Sequence, residues 1–311
     1  MEEDFSLAKV TQISTGAWQI SLPFLGEHEI VGSYLLAGEN ELAIIDPGPG
    51  SMLEPLLASI RAVGFDPQEV THILPTHVHL DHAGATGSLV RQLPRAQVYV
   101  HSKGAPHLTD TTKVVASASR IYGDHMHMLW GDIESTPAER LHTLEGGDVL
   151  QVAGRRLEVH YTPGHAIHHV VFFDAHSGEL FVGDVAGVKL PGVDYVRPPT
   201  PPPDLDLEAW SDSISLIRSL RPDILYLGHF GAIKEVPQHL GILREKLLAW
   251  GDFILETMRS GKNVKTQPEL QRVTRDAHAL QRYEIASNYA MTVQGYMRYW
   301  RKKHPERLQA P

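Results

Sequence analysis

Short apolar runs bounded by Gly, Pro or Asn alternate along this chain with stretches whose apolar residues recur at helical spacing. GAWQISL, SYLLAG, ELAIIDPG, VTHILPTH and AQVYVHS are brief and rich in apolar and β-branched residues, and they read as strands. SMLEPLLASIRAVG and GATGSLVRQLP carry the helical pattern and end at Gly or Pro. A second set follows at 141–187, where DVLQVAGRRLEVHYTPGH and HHVVFFDAHSGELFVGD predict two hairpins turned at Ala-Gly and Ser-Gly. The helix DLEAWSDSISLIRSL and the strand DILYLGHF complete that set. Two successive groups of strands and helices predict an α/β fold of two halves, packed sheet against sheet with helices outside.

The remaining segments connect or extend this core. Residues 109–130 read as one helix placed to act as a lid, and the proline run at 197–206 reads as a stiff connecting loop. From about 237 onward the pattern is almost wholly helical, with candidates at 237–259, 267–280 and 283–303. In the last of these Tyr289, Val293, Tyr296 and Trp300 share one face, a stripe that reads as packing rather than a cofactor box. The expected division is therefore a two-sheet domain over residues 1–236 and a C-terminal helical extension over 237–311.

Composition narrows the chemistry. A chain of 311 residues, 42% hydrophobic and 21% charged, can bury a large core. It has no cysteine, which excludes disulfides, thiolate ligands and a cysteine nucleophile, so any metal must be held by nitrogen and oxygen. A net charge of −9 and a single basic run, RYWRKKHPER, argue against nucleic acid as a partner. No stretch of 18 apolar residues and no leader pattern appear, so the expectation is a cytoplasmic protein with no membrane partner, acting on a small molecule, with a homodimer left open.

The stretch LPTHVHLDHAGATG at 74–87 places His77, His79, Asp81 and His82 within six positions. With 19 histidines in the chain, a solvated loop is the plain alternative to a metal site. If the strand VTHILPTH continues extended, His77, His79 and Asp81 project to one side, and His82 approaches from the turn into the next helix. Three further candidates sit at strand ends: His165 after HYTPG, Asp184 after ELFVG and His229 after ILYLG. Each alone could be a turn residue or a helix cap. Together the seven supply five imidazoles and two carboxylates, enough for two metals.

With THVHLDH, TPGH, GD and GH in that order, the chain resembles the metallo-β-lactamase-fold superfamily over about residues 8–235. The resemblance implies an αββα sandwich with the metals at one edge of the two sheets. It implies that His77, His79 and His165 hold one metal, that Asp81, His82 and His229 hold the other, and that Asp184 bridges them. The two carboxylates, Asp81 and Asp184, are accordingly read as catalytic. Such a set suits two divalent ions sharing a hydroxide, with zinc first and iron or manganese open to the same ligands.

The branch is set by departures as much as by matches. True β-lactamases lack an aspartate at the third motif, flavodiiron proteins replace the second histidine with glutamate, and acyl-homoserine lactonases carry a tyrosine where this chain has Gly187. Tyr195 could substitute from the loop or be a packed tyrosine. The helical tail is similar to that of hydroxyacylglutathione hydrolases, but their basic glutathione contacts have no counterpart beyond Lys189, which reads as a solvated loop lysine. His168 and His169 read as the start of a strand, with a supporting role at the site as the alternative. His125 and His127 cannot share a helix face, and His101, His142, His160 and His278 show no partner. The expected activity is hydrolysis of a small ester, thioester or lactone by a dinuclear centre; the alternatives are a mononuclear iron sulfur dioxygenase and a metal-dependent phosphodiesterase. Tyr122, Met126, Trp130, Leu190 and Tyr195 are candidates for an apolar pocket wall or for packing.

Overall fold

The structure is a computed structural model that describes residues 8–261 and 274–309. Seven strands form the first sheet in sequential order: β1 (Lys9–Ser14), β2 (Ala17–Phe24), β3 (Glu27–Ala37), β4 (Leu42–Ile45), β5 (Val70–Leu74), β6 (Gln97–His101) and β7 (Leu141–Leu144). Pairing is antiparallel from β1 to β4 and parallel from β4 to β7. The second sheet contains β8 (Val149–Val152), β9 (Arg155–Tyr161), β10 (Val170–Asp174), β11 (Glu179–Gly183), β12 (Ile224–Leu227) and β13 (Ala232–Ile233), in the order β13-β12-β11-β10-β9-β8. There only β11 and β12 run parallel.

The apolar runs explain the layering. In β4, Ala43 and Ile45 face the space between the sheets while Leu42 and Ile44 face outward. In β10, Val170 and Phe172 point inward while Val171 and Phe173 point outward. Strands buried on both faces need apolar residues at every position, so their sequences run apolar without alternation. The outer face of the first sheet is covered by helices that include α1 (Leu53–Ala62) and α3 (Thr86–Gln92), which follows the single helical turn α2 (Leu80–Ala83). The outer face of the second sheet is covered by α7 (Leu207–Leu220), α8 (Val236–Arg259) and α10 (Tyr289–Lys303), with α9 (Ala277–Ala286) preceding the last. The result is an αββα sandwich.

Two readings of the chain need correction. The stretch read as one helix over 109–130 is broken: α4 (Ala105–Thr109) ends before it, α5 spans Thr112–Tyr122 and α6 spans Met126–Trp130. Gly123, at φ 52°, turns the chain between α5 and α6. The strand VTHILPTH stops at Leu74, so His77 and Asp81 are not successive positions of one extended face. In the tail, residues 267–273 of the helix candidate at 267–280 lie outside the described residues. Tyr289, Val293, Tyr296 and Trp300 pack with Leu243 and Leu247 of α8, so the stripe is packing. Among the described residues, no helix is long and apolar enough to cross a membrane.

Phe172 is fully buried between the sheets. Phe172→Ala is expected to cost about 3–5 kcal/mol, read as a lower midpoint in chemical denaturation. A change below about 1 kcal/mol would contradict the packing described here.

Candidate metal centre

Two parallel pairs of strands, one in each sheet, deliver residues to one edge of the sandwich. Asp46 follows β4, Thr76 and His77 follow β5, Asp184 follows β11, and Gly228 and His229 follow β12. The loop between β9 and β10 brings His165 to the same edge. The sheets are tied together there by Val170 N–H donating to Thr76 O at 2.8 Å and Gly32 N–H donating to Gly228 O at 2.9 Å. Carboxyl ends of parallel strands are where open α/β sheets commonly place ligands, because chain leaving each strand is free to turn a side chain over the edge.

All seven predicted residues converge, in overlapping groups whose ligand-type atoms lie within 4.8 Å of one another: His77, His79 and His165; His77, His82 and Asp184; and Asp81, His82 and His229. His79 Nδ1 lies 2.9 Å from His77 Nε2 and 3.0 Å from His165 Nε2. His82 Nε2 lies 3.3 Å from His229 Nε2 and 3.2 Å from Asp184 Oδ1, and His229 Nε2 lies 3.2 Å from Asp81 Oδ2. The other oxygen of Asp184, Oδ2, lies 3.4 Å from His165 Nε2. Asp184 therefore stands between the two groups. Asp81, on α2 rather than on an extension of β5, joins the second group and not the face of His77.

The outer nitrogens decide what the inner ones can do. His165 Nδ1 meets Pro199 O at 2.8 Å and His229 Nδ1 meets Ile30 O at 2.7 Å; a carbonyl only accepts, so both Nδ1 atoms carry the proton. His82 Nδ1 donates to Asp46 Oδ2 at 2.9 Å. Thr76 Oγ1 donates to the same Asp46 carboxylate and so accepts from His77 Nδ1 at 3.1 Å. In the neutral rings, four Nε2 lone pairs then face the centre beside two carboxylates, and Asp184 Oδ1 is buried without a hydrogen bond. Lone pairs turned on one another in a buried site repel, and a cation removes the conflict. The donor set fits divalent metal.

Titration follows the same division. Burial, reinforced by His82, His79 and His165, pushes His77 well below the ordinary imidazole value. Burial likewise lowers His165, to about 4. For His82 burial opposes protonation, but Asp184, Asp46 and Asp81 outweigh it and hold the ring well above its usual range. His229 is raised in the same way, with burial overcome chiefly by Asp184 and by its bond to Asp81. Asp184 is held well below the carboxylate range because His82, His229 and His165 outweigh its burial. Without a cation, then, a proton beside Asp184 takes over part of the cation's role.

One supporting residue escaped the sequence, and two others were read there as supporting only in the alternative. Asp46, in IIDPG, reads as a turn residue, yet it is buried at φ 49° and also accepts from Thr76 N–H at 2.7 Å. His168 and His169 lie before β10 rather than in it, and both are buried. His169 Nε2 accepts from Asp184 N–H at 3.2 Å, so its Nδ1 carries the proton toward Thr162 Oγ1; His168 Nδ1 accepts from Val78 N–H at 3.3 Å. Burial pushes His168 down to about 2, so it serves as a neutral acceptor. Tyr195 is packed against Tyr283 at 5.4 Å and is 2% exposed, which places it in the core. Trp130 and Leu190 are core residues too, whereas Tyr122 on α5 and Met126 on α6 are partly exposed. Burial, aided by the charge of Asp81, pushes the Tyr122 hydroxyl up to about 12. Lys189 Nζ pairs with Asp194 at 3.4 Å, and the exposed His127 lies at the surface, away from the seven.

Comparison with known proteins agrees with this geometry. The family model described as the metallo-beta-lactamase superfamily matches residues 29–229. The chain is 31% identical over 218 residues to a metallo-beta-lactamase fold-containing protein of Sulfurisphaera tokodaii, covering 68% of this chain and 78% of that one. It is 28% identical over 217 residues to an atrochrysone carboxyl ACP thioesterase of Aspergillus fumigatus, covering 68% of this chain but 55% of the relative. The crystal structure of a metallo-beta-lactamase family protein from Thermus thermophilus superposes with a TM-score of 0.70 at 24% identity, covering 94% of this chain and 95% of that chain.

The glycines before Asp184 and His229 now have a reason. A Cβ on Gly183, at φ 47°, would stand 2.3 Å from Thr76 Oγ1, and one on Gly228 would stand 2.5 Å from His82 Cε1. Gly228 cannot retreat, because its N–H is bonded to Gly183 O at 3.1 Å and its C=O to Gly32. Gly228→Ala should therefore displace His82 and cost about 1–3 kcal/mol in denaturant unfolding. An unchanged midpoint would show that the close approach is not real.

Proposed function

The chain belongs to the metallo-beta-lactamase superfamily, and on that premise we propose that it is a dinuclear metal-dependent hydrolase of a small ester, thioester or lactone. The observation that carries the reading is the pair of ligand groups meeting at Asp184, with the outer nitrogens of His77, His82, His165 and His229 already bonded. His77, His79 and His165 would hold one ion, Asp81, His82 and His229 the other, and Asp184 would contact both. Two divalent ions in such a site supply an activated water and a Lewis acid for the oxygen on which charge develops. Zinc suits the set of nitrogen and oxygen donors, and iron or manganese would bind it too.

The protein's own part is orientation and exclusion of water. Bonds to Pro199 O, Ile30 O and the Asp46 carboxylate hold three rings in place, and the Thr76 hydroxyl holds the fourth. Asp81, its side chain 25% exposed, is the acid of the set nearest solvent, placed to meet the substrate side, while Asp184 is sealed beneath it. Apolar groups adjoin the ligands: Leu80 stands next to Asp81, Ile167, 47% exposed, lies two residues past His165, and Tyr122 is near enough for the Asp81 charge to act on its hydroxyl. An acyl or lactone group is better matched to such neighbours than a phosphodiester. The thioesterase relative supports the acyl reading, although the chain spans little more than half of it. A second full ligand group around Asp81 and His229 favours two ions over the single iron of a dioxygenase.

Asp184→Asn keeps the volume but loses the charge, and is expected to lower metal content from two ions toward one and turnover by about a hundredfold or more, with circular dichroism unchanged. Wild-type metal content and rate in that variant would remove the shared-ligand assignment. Across a substrate panel, esters, thioesters and lactones should be cleaved faster than phosphodiesters or penicillins, and Met126→Ala should alter their ranking without loss of metal. A preference for phosphodiesters would overturn the substrate class.

A further inference from the structure

Residues 185–206, between Asp184 and α7, contain no helix and only an isolated bridge between Val188 and Arg197. This belt nevertheless touches the centre twice. Lys189 N–H donates to His229 O at 2.8 Å, and Pro199 O accepts from His165 Nδ1 at 2.8 Å. A segment without regular structure does not hold a carbonyl in place unaided.

The clamp comes from the C-terminal helices. His239 on α8 donates through Nε2 to Ala186 O at 2.8 Å. The Tyr283 hydroxyl on α9 donates to Tyr195 O at 2.6 Å and accepts from Leu190 N–H at 3.2 Å. Arg197, buried on the belt, donates to Tyr283 O at 3.0 Å and Ser287 O at 2.6 Å. Directly beside Pro199, the Thr200 hydroxyl donates to Thr292 O at 3.1 Å. Gly295 of α10 comes so close that a Cβ on it would stand 1.7 Å from Thr200 O. Thr200 is fully buried in this contact.

We propose that the C-terminal helices are part of the support of the metal centre: by gripping Thr200, α10 fixes the Pro199 carbonyl and so orients the His165 ring toward the ion. The step from carbonyl to ring is a supporting contact to a metal-binding imidazole, the kind that sets its tautomer and direction. Trp210 packs edge-on against His165 at 5.6 Å, so the ring is held by the indole as well as by the carbonyl. Thr200, Thr292 and Gly295 act through Pro199 and are positioning residues. The inference rests on the assignment of His165 as a ligand.

Thr200→Val removes the hydroxyl at nearly constant volume, and Thr200→Ser keeps it. The measurement is Zn²⁺ affinity of the full chain by competition with a chromophoric chelator, together with the visible spectrum of the Co²⁺-loaded protein. Thr200→Val should weaken one of the two Zn²⁺ equivalents about tenfold or more and change the Co²⁺ spectrum, while Thr200→Ser stays near wild type. Leu247→Ala, which removes only apolar packing under α10, should lower stability and leave both affinities unchanged. If Thr200→Val and Gly295→Ala lose stability but keep both affinities and the spectrum, the helices are cover and the inference fails alone. A wild-type chain that binds no Zn²⁺ would remove the metal reading and this inference with it.

Discussion

Four imidazole rings at one sheet edge have their outer nitrogens tied to acceptors, so in their neutral, metal-binding form their inner lone pairs meet one another beside two carboxylates. That arrangement is unfavourable for a protein without a cation, since it buries polar atoms with too few donors between them. The rest of the edge is shaped to keep it. Thr76 and Asp46 brace His77 and His82 from below, His169 supports Asp184, and glycines at 183 and 228 leave room for the rings. A structure that pays this much in polar burial to align lone pairs is built around what they bind.

The sandwich makes such a focus available. Parallel strands bring four chain exits to one edge, and the buried apolar runs on both faces of each sheet hold those exits rigidly. The seven side chains come from four separated segments, so no local stretch can form the site alone. The C-terminal helices extend the apolar layer under the second sheet and also reach the belt through Tyr283, Arg197 and Thr200.

Much of this was legible from residues alone. The strands, the hairpin turns and the seven converging residues could be read because each carries a local mark: an apolar run, a Gly-containing turn, or a polar residue directly after a strand. The geometry within THVHLDH was not legible, because Pro75 ends β5 early and α2 carries Asp81 and His82 round to the second group. Asp46 was missed for a different reason. Only the parallel pairing of β4 with β5 sets it beside Thr76, and IIDPG by itself looks like an ordinary turn. The helix expected over 109–130 is divided where Gly123 takes a positive φ, a choice a glycine permits but does not announce. Tyr195 could be read from its loop as a pocket residue or as packing, and its contact with Tyr283 of α9 puts it in the core.

The proposed function requires a pair of divalent ions at this edge. Elemental analysis of the full chain, purified without added metal and compared with the same protein after chelation and reloading, tests it most directly. Two divalent ions per chain, zinc foremost, are expected, with both restored on reloading. A constant single iron per chain that cannot be raised to two ions would contradict the proposed function.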